Sequence, residues 1–565
     1  MDESPDTQMQ ETATFQALNN DFIVSCLCDT VKSSPRLSDQ LPVLARISKT
    51  FFLPAVKAIW TEVRTLLPLV RTMPSDCWEV SSSQPENDNP IHHLRFTRPI
   101  TVQDCERFRF YAPFIRRFYS FPRTPRGGTV IVNPNVFHFL SATFRKEYSS
   151  INLLPSLDFL SWVVTDDLEF PHFIMFLNPD LRHIILGIKG TLFVRLALIS
   201  NIVSLCPSLE SISLPHSEDP DAVVGISHIF TRFPRLRKLT IDAISNEALI
   251  ELAQHPQLTN LLLGYIDTIE WDVVSPQLQA MMPNFQTLQT LRVSRAIESD
   301  CIRLFKTIHP PLRRIVLFLE GSPTGSSYSR ILTTIRAGCP LPVNLTDLVI
   351  RSIADEADPN TVPVVPTLDP LVPVYLSPIL GFTNLTDFDI RPFCFVDVDD
   401  AWIKQTTEAL QKLKRFTLIS ESSEIGSNHI IKVTLGALVH FALNCPLLES
   451  LSLEFDATRP LLPNKVSRHP RLHGSSLTTM RVGHSPIISA YTVAAIFSDW
   501  FPKLDLIHPG KLDGEDLAAE VMWNEVLRLI PDIRDIRQQE RVSFKRRLDT
   551  SEVVEQPSEA MDVDG

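Results

Sequence analysis

Residues 206–215 read CPSLESISLP, and the phrase returns as FPRLRKLTID from Phe233, HPQLTNLLLG from His255 and CPLLESLSLE from Cys445. In each copy a leucine is followed by two spacers, an aliphatic residue, one spacer and another aliphatic residue. Looser copies read NPDLRHIILG, FQTLQTLRVS, HPPLRRIVLF, VNLTDLVIR, TNLTDFDIR, QKLKRFTLIS and SLTTMRVG, eleven copies in all. Their leading leucines are Leu181, Leu209, Leu236, Leu258, Leu288, Leu312, Leu345, Leu385, Leu413, Leu448 and Leu477.

Most of these leucines are separated by close to the 20 to 29 residues of a leucine-rich repeat. Between copies lie segments such as SNEALIELAQH, ESDCIRLFKTIH and DDAWIKQTTEALQKL, whose apolar residues recur at helical spacing. One strand and one helix cannot bury their apolar sides alone, whereas stacked units join theirs into a continuous core. The expected fold is therefore α/β, an irregular leucine-rich-repeat solenoid (a horseshoe) of parallel strands and helices over residues 92–530. The residues from His92 to Leu160, with LRFTRPI and GGTVIVNPNVFHFL, are expected to be atypical first repeats. Six prolines between Leu345 and Leu385 predict a loop over residues 352–378.

Around the array, residues 1–14 are expected to be disordered, residues 75–91 a polar linker, and residues 531–565 a largely disordered tail. Residues 15–74 have a different character. Their apolar spacing predicts three short helices: one over residues 17–32, a second marked by Leu41, Leu44, Ile47 and Phe51, and a third beginning near Pro54.

The run LPVLARISKTFFLPAVKAIW resembles the helical module of the fungal F-box and leucine-rich-repeat family, matching at Ala45, Arg46, Lys49, Phe51, Pro54, Ala55 and Trp60. The resemblance implies an all-α F-box-like module before the repeats. It also implies a Skp-type adaptor, and through it a cullin scaffold, as partners. Adaptor contacts would then fall on Leu41, Pro42, Leu44, Ile47, Phe51, Phe52, Val56 and Trp60. By the same resemblance the chain would be the target-recognition subunit of a ubiquitin ligase. The alternative is a stand-alone protein-binding scaffold whose N-terminal helices cap the first repeat.

A target would meet the strand residues that alternate with the buried ones. The charged members of that set run from Lys238 to Arg481, and the candidates among them are Arg292 and Arg314, then Asp347, Asp387 and Asp389, then Arg415, with a basic stretch in the middle followed by an acidic one.

The 53 basic residues against 65 acidic ones leave a formal charge of −12, which gives nucleic acid or an anionic membrane no general attraction. The most apolar run, residues 184–205, is expected to be a buried helix, since Lys189 and Arg195 interrupt it. The acidic start MDESPDTQMQETATF is unlike a secretory signal, so a cytoplasmic or nuclear location is expected. The nine cysteines lack zinc-site spacing and read as reduced core thiols. No phosphate-loop, dinucleotide, zinc-protease or nucleophile-elbow motif occurs, so neither enzyme chemistry, a cofactor nor a metal is expected. Asp397, Asp399 and Asp400 suit a helix N-terminus near Ala401, and the pair His92 and His93 reads as a surface loop.

Overall fold

The computed structural model describes residues 20–34, 37–83, 91–120, 129–148, 152–164, 170–188, 192–214, 227, 229–339, 344–353, 369–421, 430–459, 475–510 and 517–552. The chain forms two compact units, Met1–Gly264 and Tyr265–Gly565.

The first unit opens with helices α1 (Asp21–Ser33), α2 (Leu41–Ile47) and α3 (Lys49–Trp60). The Asn20 carboxamide oxygen accepts from the N–H of Phe22 and Ile23 to start α1, and the Ser48 hydroxyl oxygen accepts from Thr50 N–H to start α3. Pro54 therefore lies inside α3 rather than opening it. The Ser48 cap and the inward packing of Phe51 outweigh the one backbone hydrogen bond that proline forfeits. Val24, Cys28, Leu41, Ala55 and Ala58 form the shared core of the three helices.

The strands of this unit are β1 (Glu62–Val63), β2 (Trp78–Ser83), β3 (Ile91–Phe96), β4 (Arg117–Ser120), β5 (Thr129–Val132), β6 (Phe159–Val164), β7 (His183–Ile188), β8 (Ser211–Leu214), β9 (Lys238–Ile241) and β10 (Asn260–Tyr265). One parallel sheet has the order β1-β4-β6-β7-β8-β9-β10. A second sheet sets β2 antiparallel and β5 parallel to β3.

The second unit carries β11 (Thr290–Ala296), β12 (Arg314–Glu320), β13 (Asp347–Ile353), β14 (Asp387–Arg391), β15 (Arg415–Leu418), β16 (Ser450–Leu453), β17 (Thr479–Gly483) and β18 (Leu506–Pro509). Each is parallel to the next in chain order. The fold is thus α/β, an all-α N-terminal module followed by a repeat solenoid.

The repeat phrase has a fixed physical meaning. All eleven leading leucines are buried, and a parallel strand begins two residues after each one. The carbonyl before most repeat strands accepts two N–H groups from the next repeat. Arg182 O, for example, takes Glu210 N at 2.8 Å and Ser211 N at 2.9 Å. Helices pack on the buried face, where Trp402 and Phe441 lie against Phe416 of β15.

Three repeats escape the aliphatic wording. Ile115, Leu157 and Leu504 occupy the leading position before β4, β6 and β18, with Phe118, Trp162 and Ile507 among the buried strand residues that follow. The signal was present as Pro155-Ser156-Leu157 and Pro502-Lys503-Leu504, but Trp162 and the strand-ending Pro509 occupy the last aliphatic place there, as Ser120 does in the repeat led by Ile115.

Several expectations are corrected. Residues 78–83, read as linker, form strand β2. LRFTRPI and GGTVIVNPN supply β3 and β5 to the second sheet and not repeat strands. Alternation predicts a strand, but not which neighbour it pairs with. His92 and His93 accordingly lie in β3, with His92 Nδ1 2.8 Å from Ser82 Oγ. The apolar run 184–205, expected as one buried helix, divides into β7 and a helix, Leu192–Leu205, of which Ile199 and Ile202 are buried.

Ser352 and Ile353 belong to β13, and Pro373 opens the helical turn Pro373–Leu376, which narrows the proline-rich loop; its residues 354–368 lie outside the described ones. The expected tail begins inside a helix, Leu517–Glu552, whose Trp523, Val526 and Ile530 are buried. The expected disorder of residues 1–14 and 553–565 also lies outside the described residues.

Candidate partner-binding surfaces

Three helices of this size bury only part of their apolar side chains. In α1, Val24 and Cys28 point inward, while Phe22, Ile23 and Leu27 are exposed, Phe22 by 76%. In α2 the inward residue is Leu41, and Val43 and Ile47 are exposed, Ile47 by 67%. In α3, Ala55 and Ala58 point inward, while Phe52 and Leu53 face solvent. Leu37, between α1 and α2, is half exposed. So many apolar residues on the outside of a small helical module make it a candidate interaction surface.

The residues expected to touch an adaptor therefore separate by burial. Pro42, Ile47 and Phe52 are exposed, and Leu44, Phe51 and Trp60 are half-buried. Leu41 and Val56 are buried, so neither offers a surface, because helical spacing turns them toward neighbouring elements. Trp60 stacks on Tyr111 at 4.6 Å, which ties α3 to the helix Glu106–Tyr111. Phe22, Ile23, Leu27, Leu37, Val43 and Leu53 were missed. For Phe22, Ile23 and Leu27 the signal was an α1 with apolar residues on more of its circumference than one buried stripe requires.

In the second unit, strand pairing sets Thr290, Arg314, Asp347, Asp387, Arg415, Ser450 and Thr479 side by side on the sheet face opposite the helices. The next row holds Arg292, Val316, Val349, Asp389, Thr417, Ser452 and Arg481. All six expected target-binding residues thus share one face.

Their charges are largely satisfied within it. Asp387 is paired with Arg415. Asp389 lies between Arg351 at 2.5 Å and Arg391 at 2.8 Å, and Arg391 also reaches Glu421 at 3.2 Å. The simple succession of basic and acidic stretches is corrected accordingly, because arginines two residues farther along the strands, or one strand over, neutralise the acids. Burial pushes the Asp387 carboxyl above its usual range, with Asp347 adding to the effect and Arg415 opposing it. Arg292 lies over the Phe318 ring at 5.0 Å. Among the described residues, Arg314 and Asp347 take part in no ion pair.

No protein-family model matches the sequence, and no curated protein matches it. Among solved structures, the chain is similar to one titled as the crystal structure of the Rad7 and Elc1 complex in yeast. The identity is 13% and the TM-score 0.37, over 69% of this chain and 85% of that one.

The acidic cluster before the helix Asp400–Ala409 is structural. Asp399 accepts from Trp402 N–H at 2.9 Å, Asp400 accepts from Thr434 N–H and hydroxyl at 2.7 Å each, and Asp397 pairs with Lys432 at 2.7 Å. All nine cysteines are free thiols, and every one except Cys26 is buried. Burial pushes the Cys206 and Cys445 thiols up to about 12, which keeps them protonated and unreactive. No helix among the described residues is long and apolar enough to cross a membrane.

Proposed function

We propose that this chain is the target-binding subunit of a ubiquitin ligase of the Skp–cullin–F-box type. A Skp-type adaptor, and through it a cullin scaffold, docks on the N-terminal helices, and a protein target docks on the open sheet face. The observation that carries this reading is the set of exposed apolar side chains on the three helices: Phe22, Ile23, Leu27, Leu37, Val43, Ile47, Phe52 and Leu53. Covering such a surface with a partner returns roughly 25 cal/mol for each Å² of apolar area removed from water. The chain's contribution to ubiquitin transfer is then proximity, a raised local concentration of the bound target.

The stacking of Trp60 on Tyr111 favours a second reading, in which the helices cap a stand-alone scaffold. Capture of the full chain by a Skp-type adaptor separates the two. The exposed-residue variant Ile47→Asp/Phe52→Asp is expected to lose capture with an unchanged melting midpoint. Equal capture of both proteins, or no capture of the folded wild-type chain, removes the ligase reading and leaves the scaffold.

A further inference from the structure

A cleft of about 640 Å³ opens in the first unit at the N-terminal ends of β4, β6 and β7. It is lined by three arginines, Arg116, Arg117 and Arg182, two aspartates, Asp158 and Asp180, and by Phe159 and His183. Strand register assembles it. Arg117, Phe159 and His183 are direct neighbours on three successive parallel strands.

The residue before each strand is pinned in turn. Arg116 O accepts from Asp158 N and Phe159 N at 2.9 and 3.1 Å, and Asp158 O accepts from Arg182 N and His183 N at 3.0 Å each. The backbone of the rim is therefore fixed by hydrogen bonds that use none of the charged side chains. Arg182 has a distant pairing, 3.8 Å to Glu210, and is 62% exposed. Arg116 and Arg117 make no ion pair among the described residues. Tyr119 lies 4.9 Å from Phe159, and Phe159 lies 6.4 Å from His183, which extends an aromatic strip from the cleft along the sheet face.

We infer that this cleft binds a carboxylate side chain of an acidic protein segment. Guanidinium forks match planar carboxylates in geometry, and the aromatic strip suits the apolar residues flanking such a side chain. The three guanidiniums outnumber the two wall carboxylates by one, and Glu210 draws on Arg182 from outside the wall, so the small positive excess fits a monoanion better than the phosphate dianion. The assignment rests on the target-binding reading above, since it supplies the kind of segment that reading leaves open.

The test uses the full-length chain and fluorescently labelled peptide pools with a central Asp-Glu pair, the matched Asn-Gln pair, or a central phosphoserine. The acidic pool should bind about five-fold or more tightly than the neutral pool, and the preference should weaken with salt. Arg116→Gln/Arg182→Gln should erase the preference, and Lys238→Gln, outside the cleft, should keep it. Asp180→Asn should strengthen acidic binding and move the preference toward phosphoserine.

Equal binding of acidic and neutral pools by the wild-type chain overturns the inference, as does a preference that survives in the double arginine variant. Tighter binding of phosphoserine by the wild-type chain overturns the monoanion assignment. Acetate binding as tightly as the acidic pool overturns the assignment to a protein segment. Adaptor capture is measured on the same proteins, so a failed ligase reading shows as lost capture with the peptide preference intact.

Discussion

Individual side chains determine where this fold is sensitive. Leu451 of β16 is fully buried at the middle position of the repeat phrase. Leu451→Ala should cost about 2–5 kcal/mol in a denaturant titration by leaving a cavity in the stacked core, and a near-neutral result would contradict the register. Polar residues matter at a clamp on the buried Asp104. Arg98 donates to both oxygens of Asp104 at 2.8 and 3.0 Å and to Asp76 at 2.9 Å, while Thr101 N–H donates to Asp104 at 2.7 Å. The Arg98 guanidinium holds the Asp104 carboxyl well below the usual range. A lowered folded-state pKa means the stabilisation is complete above the unfolded value of about 3.9 and fades as pH falls below it. Asp104→Asn should cost about 1–3 kcal/mol at neutral pH, and its melting midpoint should fall less between pH 5 and pH 3 than the wild type's.

Elements are held by their ends and their close approaches. Asp399→Ala removes the side-chain cap of the helix Asp400–Ala409 and should cost about 1 kcal/mol by thermal melting. Gly338 ends the helix Gly325–Gly338, where a methyl group would sit 2.2 Å from the Phe305 carbonyl oxygen of the helix Glu298–Thr307. Alanine gains about 1 kcal/mol of helix propensity over glycine, so propensity alone predicts stabilisation. The clash is with backbone and cannot be relieved by a rotamer change. Gly338→Ala should therefore destabilise the second unit by about 1–3 kcal/mol, and a raised melting midpoint would refute that close approach.

At the scale of the whole molecule, each unit depends on what covers its sheet. In the second unit the long helix Leu517–Glu552 supplies Trp523, which lies 5.7 Å from Phe455 and 6.3 Å from Phe497 and donates its indole N–H to Ser485 O at 2.9 Å. Trp523→Ala should cost about 3–5 kcal/mol and reduce hydrogen-exchange protection in β17 and β18, the strands beside that core. Unchanged protection there would mean the helix is not needed to seal the array.

The sequence by itself determined the repeats. A leucine two residues before each of eleven repeat strands, followed by alternating aliphatic positions, states which residues are buried, because local spacing and stacking of like units impose the same pattern. It also carried the three-helix module and the row of charged residues on the open sheet face. Only the tertiary structure decided which strands pair with non-repeat neighbours, as β2, β3 and β5 do, since strand pairing is a long-range choice that alternation does not encode. It likewise decided that Leu41 and Val56 are core, that Asp387 and Asp389 are neutralised by arginines, and that Arg116, Arg117 and Arg182 converge on one cleft. Arg116 and Arg182 lie 66 residues apart in the chain, and parallel register places them two strands apart at one edge of the sheet.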